Sequence, residues 1–380
     1  MSGPAAWTAL PDLASRRVGG SVVWANDELF AERENLVRAS EPVFQPATFG
    51  HKGQIYDGWE TRRRRDTGTD QAVVRLGLPG VVRGVVVDTA FFTGNYPPFC
   101  AVDACAVEGY PSPAELAEAE WHPLVPRSPL AGDTKNPFAV EDQHRFTHVR
   151  LTIIPDGGVA RLRVHGEPVA DPRFLDLGWV DLAALENGAT ISGCSNMFYS
   201  SPANLISPGF AAVMGEGWET ARRRDEGNDW VSVLLAGPGV PRMAELDTSH
   251  FKGNAPGWAS LTAGDRVLLD RTRLQPDTRH RFLLPETAEV SEVRMDVYPD
   301  GGMARLRIWG SLGTTGRTEF VLRWFNLLPA SQARAVLVGA GAAEPDAVAT
   351  VDARPLTAPP LHGPLAAICS GRPRGLPLPE

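Results

Sequence analysis

The feature that most constrains this chain is that it contains the same stretch twice. Asp57-Gly58-Trp59-Glu60-Thr61-Arg62-Arg63-Arg64-Arg65-Asp66 recurs as Glu216-Gly217-Trp218-Glu219-Thr220-Ala221-Arg222-Arg223-Arg224-Asp225, an offset of 159 (217 − 58). The same offset carries Asp70 onto Asp229, Asp88-Thr89 onto Asp247-Thr248, and Phe92-Thr93-Gly94-Asn95 onto Phe251-Lys252-Gly253-Asn254. Pro155-Asp156-Gly157-Gly158 and Ala160-Arg161-Leu162-Arg163 return at Pro299-Asp300-Gly301-Gly302 and Ala304-Arg305-Leu306-Arg307, an offset of 144 (299 − 155). Asp12-Leu13-Ala14 and Asn35-Leu36 return at Asp181-Leu182-Ala183 and Asn204-Leu205, an offset of 169 (181 − 12). Each change of offset marks extra residues in the first copy, between about 38 and 55 and between about 98 and 133. A period this long is a duplicated domain, not a solenoid repeat. The expected division is 1–170, 171–312 and a tail, 313–380, that departs from the repeats.

In the first copy, Val73–Leu76, Val85–Val87 and Val149–Ile154 are short β-branched runs bounded by Gly and Pro, and they read as strands, the last returning in the second copy as Val293–Tyr298. The 38 Gly and 33 Pro show no collagen-like period, so they punctuate strands and turns. Asp156-Gly157 and Asp300-Gly301 lie between apolar runs and read as hairpin turns needing positive φ. Helical periodicity is weak in both copies. The expected fold is all-β, two tandem antiparallel sandwiches or jelly rolls. In the second insertion, residues 111–118 read as a short helix behind a Ser cap. In the tail, Arg323–Leu337 reads as one amphipathic helix, and the residues after 340 read as loosely ordered.

The repeated Arg-acid block is the first place to look for chemistry. Guanidinium forks match a carboxylate or ureido oxygen. Arg63, Arg64, Arg65, Arg222, Arg223 and Arg224 are therefore the candidate substrate-binding cations, with Asn95 and Asn254 beside them. Glu60 and Glu219 are candidate general acids or bases, and His250 and Lys252 add proton-transfer capacity in the second copy. Arg161/Arg163 and Arg305/Arg307 each share a sheet face that could help bind an anion. His144 and His148 lie four apart on an apparent strand approach, which argues against a metal pair.

Net charge is −8, so the chain as a whole is a poor binder of nucleic acid or anionic membrane, and an anionic ligand needs local Arg. No stretch is long and apolar enough for a membrane span, and the first thirty residues lack a secretory h-region. The four cysteines form no C-x-x-C pair and read as reduced thiols of a cytoplasmic protein.

Taken in order, the doubled Gly-Trp-Glu-Thr block, Asp-Thr, Phe-x-Gly-Asn and Pro-Asp-Gly-Gly-x-Ala-Arg-Leu-Arg resemble the allantoicase family over about 12–310. The resemblance implies two galactose-binding-like jelly rolls that hydrolyse allantoate to ureidoglycolate and urea in purine breakdown. It also implies a homo-oligomer and no required cofactor, with activation by Mn²⁺ left open. The start of the tail resembles the opening of a decarboxylase of the same pathway, and no activity is carried over from it. Two other readings stand beside this one: a non-catalytic module pair recognising carbohydrate or a small anion, and a metal-dependent amidohydrolase.

Overall fold

The computed structural model describes residues 6–175, 178–360 and 363–370, and the rest of the tail lies outside that range. The chain divides into two compact units, built chiefly of Met1–Val169 with Leu327–Asp352 and of Ala170–Asn326 with Ala353–Leu376. Both are built on antiparallel sheet, with short helical turns and a helical tail.

In the first unit the central element is a 19-residue strand, Asp70–Asp88. Its first half is flanked by Ser21–Ala25 and Arg145–Ile154, and the latter leads on through Phe99–Cys105 to His122–Pro129. Its second half is flanked instead by Arg161–Pro168 and Lys135–Ala139. One strand therefore serves both layers of a sandwich, and most of it is buried. The second unit repeats the plan with Asp229–Asp247 flanked by Thr190–Cys194 and Val290–Tyr298, then by Arg305–Leu312 and Arg279–Leu283.

The sequence led us to expect two separate short strands here. The Gly77–Gly80 stretch interrupts the apolar pattern without ending the strand. The ladder with Arg145–Ile154 shifts register between Arg75 and Gly80, so Pro79 sits where regular pairing is already broken. A Cβ on Gly77 would lie 2.4 Å from the Val18 carbonyl oxygen, so only a glycine lets the backbones approach there.

The extra residues near 98–133 lengthen the link between Phe99–Cys105 and His122–Pro129; the matching strands of the second unit, Trp258–Ala263 and Arg266–Arg273, meet in a tight hairpin. The expected helix appears at Pro113–Ala117, with Ser112 Oγ accepting from the Glu115 amide and Glu115 from the Ser112 amide. The tail departs from expectation. Thr314–Leu327 and Ala330–Gly339 are two helices, because Pro329 has no amide to continue the first and instead precedes the second. Beyond 340, Glu344–Asp352 and Pro364–Cys369 are helical, not loosely ordered; the stretch from 371 falls outside the described residues.

Candidate functional site

Trp59–Glu60 forms a two-residue strand paired with Gly158–Val159, and Trp218–Glu219 pairs in the same way with Gly302–Met303. The indole of each Trp is fully buried and donates to a loop carbonyl, Asp27 in the first unit at 2.7 Å and Asn196 in the second at 2.8 Å. Phe92 and Phe251 plug the space beneath. A Cβ on Gly158 would stand 2.0 Å from the Phe92 ring, and one on Gly302 1.9 Å from the Phe251 ring. The Phe and the two Gly of these motifs are thus packing partners.

This scaffold brings Glu60 to Asn95 and Glu219 to Asn254. In both units the Asn side-chain amide donates to the Glu Oε1 at 2.6 Å. Glu60 is buried and its Oε2 has no hydrogen-bond partner; Glu219 is half-buried. Burial pushes the Glu60 carboxyl above its usual range, opposed in part by the Asn95 hydrogen bond.

The arginines divide. The Arg64 amide donates to Asp156 Oδ2 at 2.8 Å, and its guanidinium spans Asp70 at 2.9 Å and Asp66 at 2.7 Å. Arg223 does the same with Asp300, Asp229 and Asp225. The Asp of each Pro-Asp-Gly-Gly hairpin therefore ties down the Arg block, while Gly157 (φ 141°) and Gly301 (φ 136°) make the turn. Arg63, Arg65, Arg222 and Arg224 are exposed and make no hydrogen bond or ion pair with the described residues.

Arg161 and Arg305 correct the expectation that their sheet face receives an anion. Both are buried, donating to the Ser40 and Asp57 carbonyls in the first unit and to the Gly209 and Glu216 carbonyls in the second. Arg163 and Arg307 likewise hold loop carbonyls, of Ser40 and of Ser207 and Gly209. These four guanidiniums fasten the loops around the Trp-Glu strand.

His250 sits in a left-handed turn (φ 71°), its Nε2 2.9 Å from the Ala211 carbonyl, while Lys252 is exposed and without a partner among the described residues. The structure does not join either to the Glu219–Asn254 couple by a direct bond. His148 is buried on a strand and its Nδ1 meets Thr147 Oγ1 at 2.8 Å, whereas His144 pairs with Asp142. Among the described residues no group of three or more His, Cys, Asp or Glu converges as a metal site would require. All four cysteines are free, and burial pushes Cys100 and Cys105 up to about 12.

Sequence reasoning missed a cavity of about 200 Å³ in the first unit. Its walls come from the loop after Trp24 and from the first insertion, which contributes the small hairpin Phe49–Gly50 and Gly53–Gln54. None of the repeated arginines lines it. An insertion has no second copy, so repetition could not flag it.

With this geometry in view, the comparisons are direct. A family model described as the allantoicase repeat matches residues 11–169 and 180–313. A protein named probable allantoicase from Nocardia farcinica is 60% identical over 82% of this chain and 97% of its own length. Another so named, from Streptomyces coelicolor, is 50% identical over 83% of this chain and 89% of its own. The crystal structure of allantoicase from Saccharomyces cerevisiae superposes with a TM-score of 0.67 at 31% identity, covering 80% of this chain and 93% of that one. The chain belongs to the allantoicase family.

Proposed function

We propose that this protein is a hydrolase that converts allantoate and water to ureidoglycolate and urea. The observation that carries the reading is kinship across both repeats, with the Glu-Asn couple standing on the block that defines them. Allantoate bears a carboxylate and two ureido groups on one carbon. Hydrolysis breaks one bond from that carbon to a ureido nitrogen, places a hydroxyl on the carbon, and needs a proton on the departing nitrogen.

Glu60 is suited to supply that proton. Burial favours its neutral form, Asn95 fixes one carboxyl oxygen, and the other has no protein partner. The exposed guanidiniums of Arg63 and Arg65 are suited to draw the anionic substrate in from solvent, since Arg64 is already held by two aspartates. Glu219 and Asn254, with Arg222 and Arg224, are the corresponding set in the second unit, where Lys252 and His250 stand in the adjoining loop. The free thiols fit a reducing cytoplasmic setting, and no described helix is long and apolar enough to cross a membrane.

The test is a urea-release assay with allantoate, run with and without a chelator. Stoichiometric urea and ureidoglycolate are expected. No urea from folded protein in either arm would sink the proposal.

A further inference from the structure

We propose that the cavity walled by the first insertion holds the substrate's carboxylate and ureido groups, and that the second repeat, which lacks this insertion, has no equivalent site. This rests on the hydrolase reading above and assigns it a binding pocket.

The polar groups of the cavity wall are unequally committed to protein partners. Arg38 gives Nη1 to Asp57 Oδ1 at 3.3 Å, and its other donors bond to none of the described residues. Asp57 is itself anchored by Arg161 at 2.9 Å and by the Val43 amide at 2.9 Å, and the Arg161 guanidinium holds its carboxyl below the usual range against the cost of burial. Arg38 is therefore an oriented cation with donors to spare. Lys52, by contrast, is held by Glu32 at 3.0 Å and by the Glu28 carbonyl at 2.7 Å.

The side-chain amides of Gln45 and Gln54 and the Tyr56 hydroxyl make no hydrogen bond with the described residues, and all three residues line the cavity. A side-chain amide offers a carbonyl acceptor beside an NH₂ donor, the pattern a ureido group presents in return. One oriented guanidinium plus two uncommitted amides matches a small carboxylate carrying ureido groups better than it matches a bare anion.

The cavity wall is tied through the backbone to the strand that carries the proposed acid. Its lining residue Ala31 exchanges backbone hydrogen bonds with Glu60, and Asn35 donates to the Gly58 carbonyl at 2.8 Å. In the second unit Ser207 stands at the position of Arg38, and no residues correspond to the Gln45–Gln54 stretch.

The experiment compares wild type with Arg38→Met and Gln54→Leu in the full chain, by steady-state urea release from allantoate and by thermal melting. Arg266→Ala, on an exposed hairpin of the second unit, is the control. The expected result is a KM for allantoate raised at least tenfold in both cavity variants, with melting unchanged and the control at wild-type values. Wild-type KM in both folded cavity variants would overturn the proposal. Should a variant melt early, the conservative Arg38→Lys and Gln54→Asn replace them under the same criterion. If wild type releases no urea, the hydrolase reading fails separately. Calorimetric titration with allantoate then decides: binding by wild type that weakens tenfold in Arg38→Met supports the pocket, and no binding by wild type, or equal binding by both, overturns it.

Discussion

Glu60 and Glu219 hold the same place in the repeat, each taking a 2.6 Å hydrogen bond from an Asn 35 residues on. Around them the two units differ in a coordinated way. Where the first unit has Asp27 and Arg62 as an ion pair at 2.8 Å, the second has Asn196 and Ala221. The backbone job survives: Asp27 Oδ1 accepts from the Arg62 amide, and Asn196 Oδ1 from the Ala221 amide. The charge is absent on both sides in the second unit. Phe91 and His250 share the same left-handed turn, each amide bound to an aspartate at 2.7 Å. The lesson is that duplication retains the contacts that build the scaffold, while side chains facing outward drift. The first unit also carries the buried acid and the cavity.

The sharpest test of this asymmetry is catalytic. Glu60→Gln is expected to lower kcat by about 10²–10⁴-fold, the range for loss of a general acid, and Glu219→Gln by less than about tenfold. A reversed order, measured by urea release on folded protein, would move the chemistry to the second unit. The shared scaffold predicts symmetry instead. Phe92→Ala and Phe251→Ala should each destabilise their own unit by about 3–5 kcal/mol, read from denaturant melts. A difference between the two units larger than that spread would show that one plug is dispensable.

A pH experiment separates the units in another way. Burial, helped by the charge of Arg75, lowers the His148 pKa from 6.5 to about 4. The folded state thus prefers a neutral ring, so the stability it contributes is complete above pH 6.5 and is lost as pH falls towards 4. The expected loss is roughly 3 kcal/mol. The second unit has exposed Glu292 at the matching position. His148→Gln should flatten the acid limb of the first unit's unfolding curve; an unchanged slope would remove His148 from the account. The smallest effect concerns the drifted pair. Asp27→Asn with Arg62→Ala installs the second unit's residues and should change stability by less than about 1 kcal/mol, because Arg62 is largely exposed.

Much of this architecture was legible because it was written twice. Trp59, Phe92 and Gly157 recur as Trp218, Phe251 and Gly301, and all six turn out to be packing or turn residues. The role of Arg64 was harder to read. Its partners Asp66, Asp70 and Asp156 converge only when the hairpin folds back, so a composition of arginines looked like an anion clamp and proved in part to be a brace. Arg161 and Arg163 misled in the same way, since their acceptors are loop carbonyls, which carry no signature in side-chain identity. The long strand was hidden by the Gly77–Gly80 stretch, where local propensity says turn and tertiary pairing overrides it.

The placement of the tail bears on how the protein is made. Ser331 and Gln332 reach Glu120 and Glu108 of the first unit, at 2.6 Å and 3.0 Å, and Glu108 also meets the buried Arg145. Those partners leave the ribosome only after the whole intervening domain has been translated, a delay of roughly ten seconds or more at typical synthesis rates. During that interval the nascent first unit must hold Arg145 and Glu108 without its final strap, which forms only once Ser331 and Gln332 have been made.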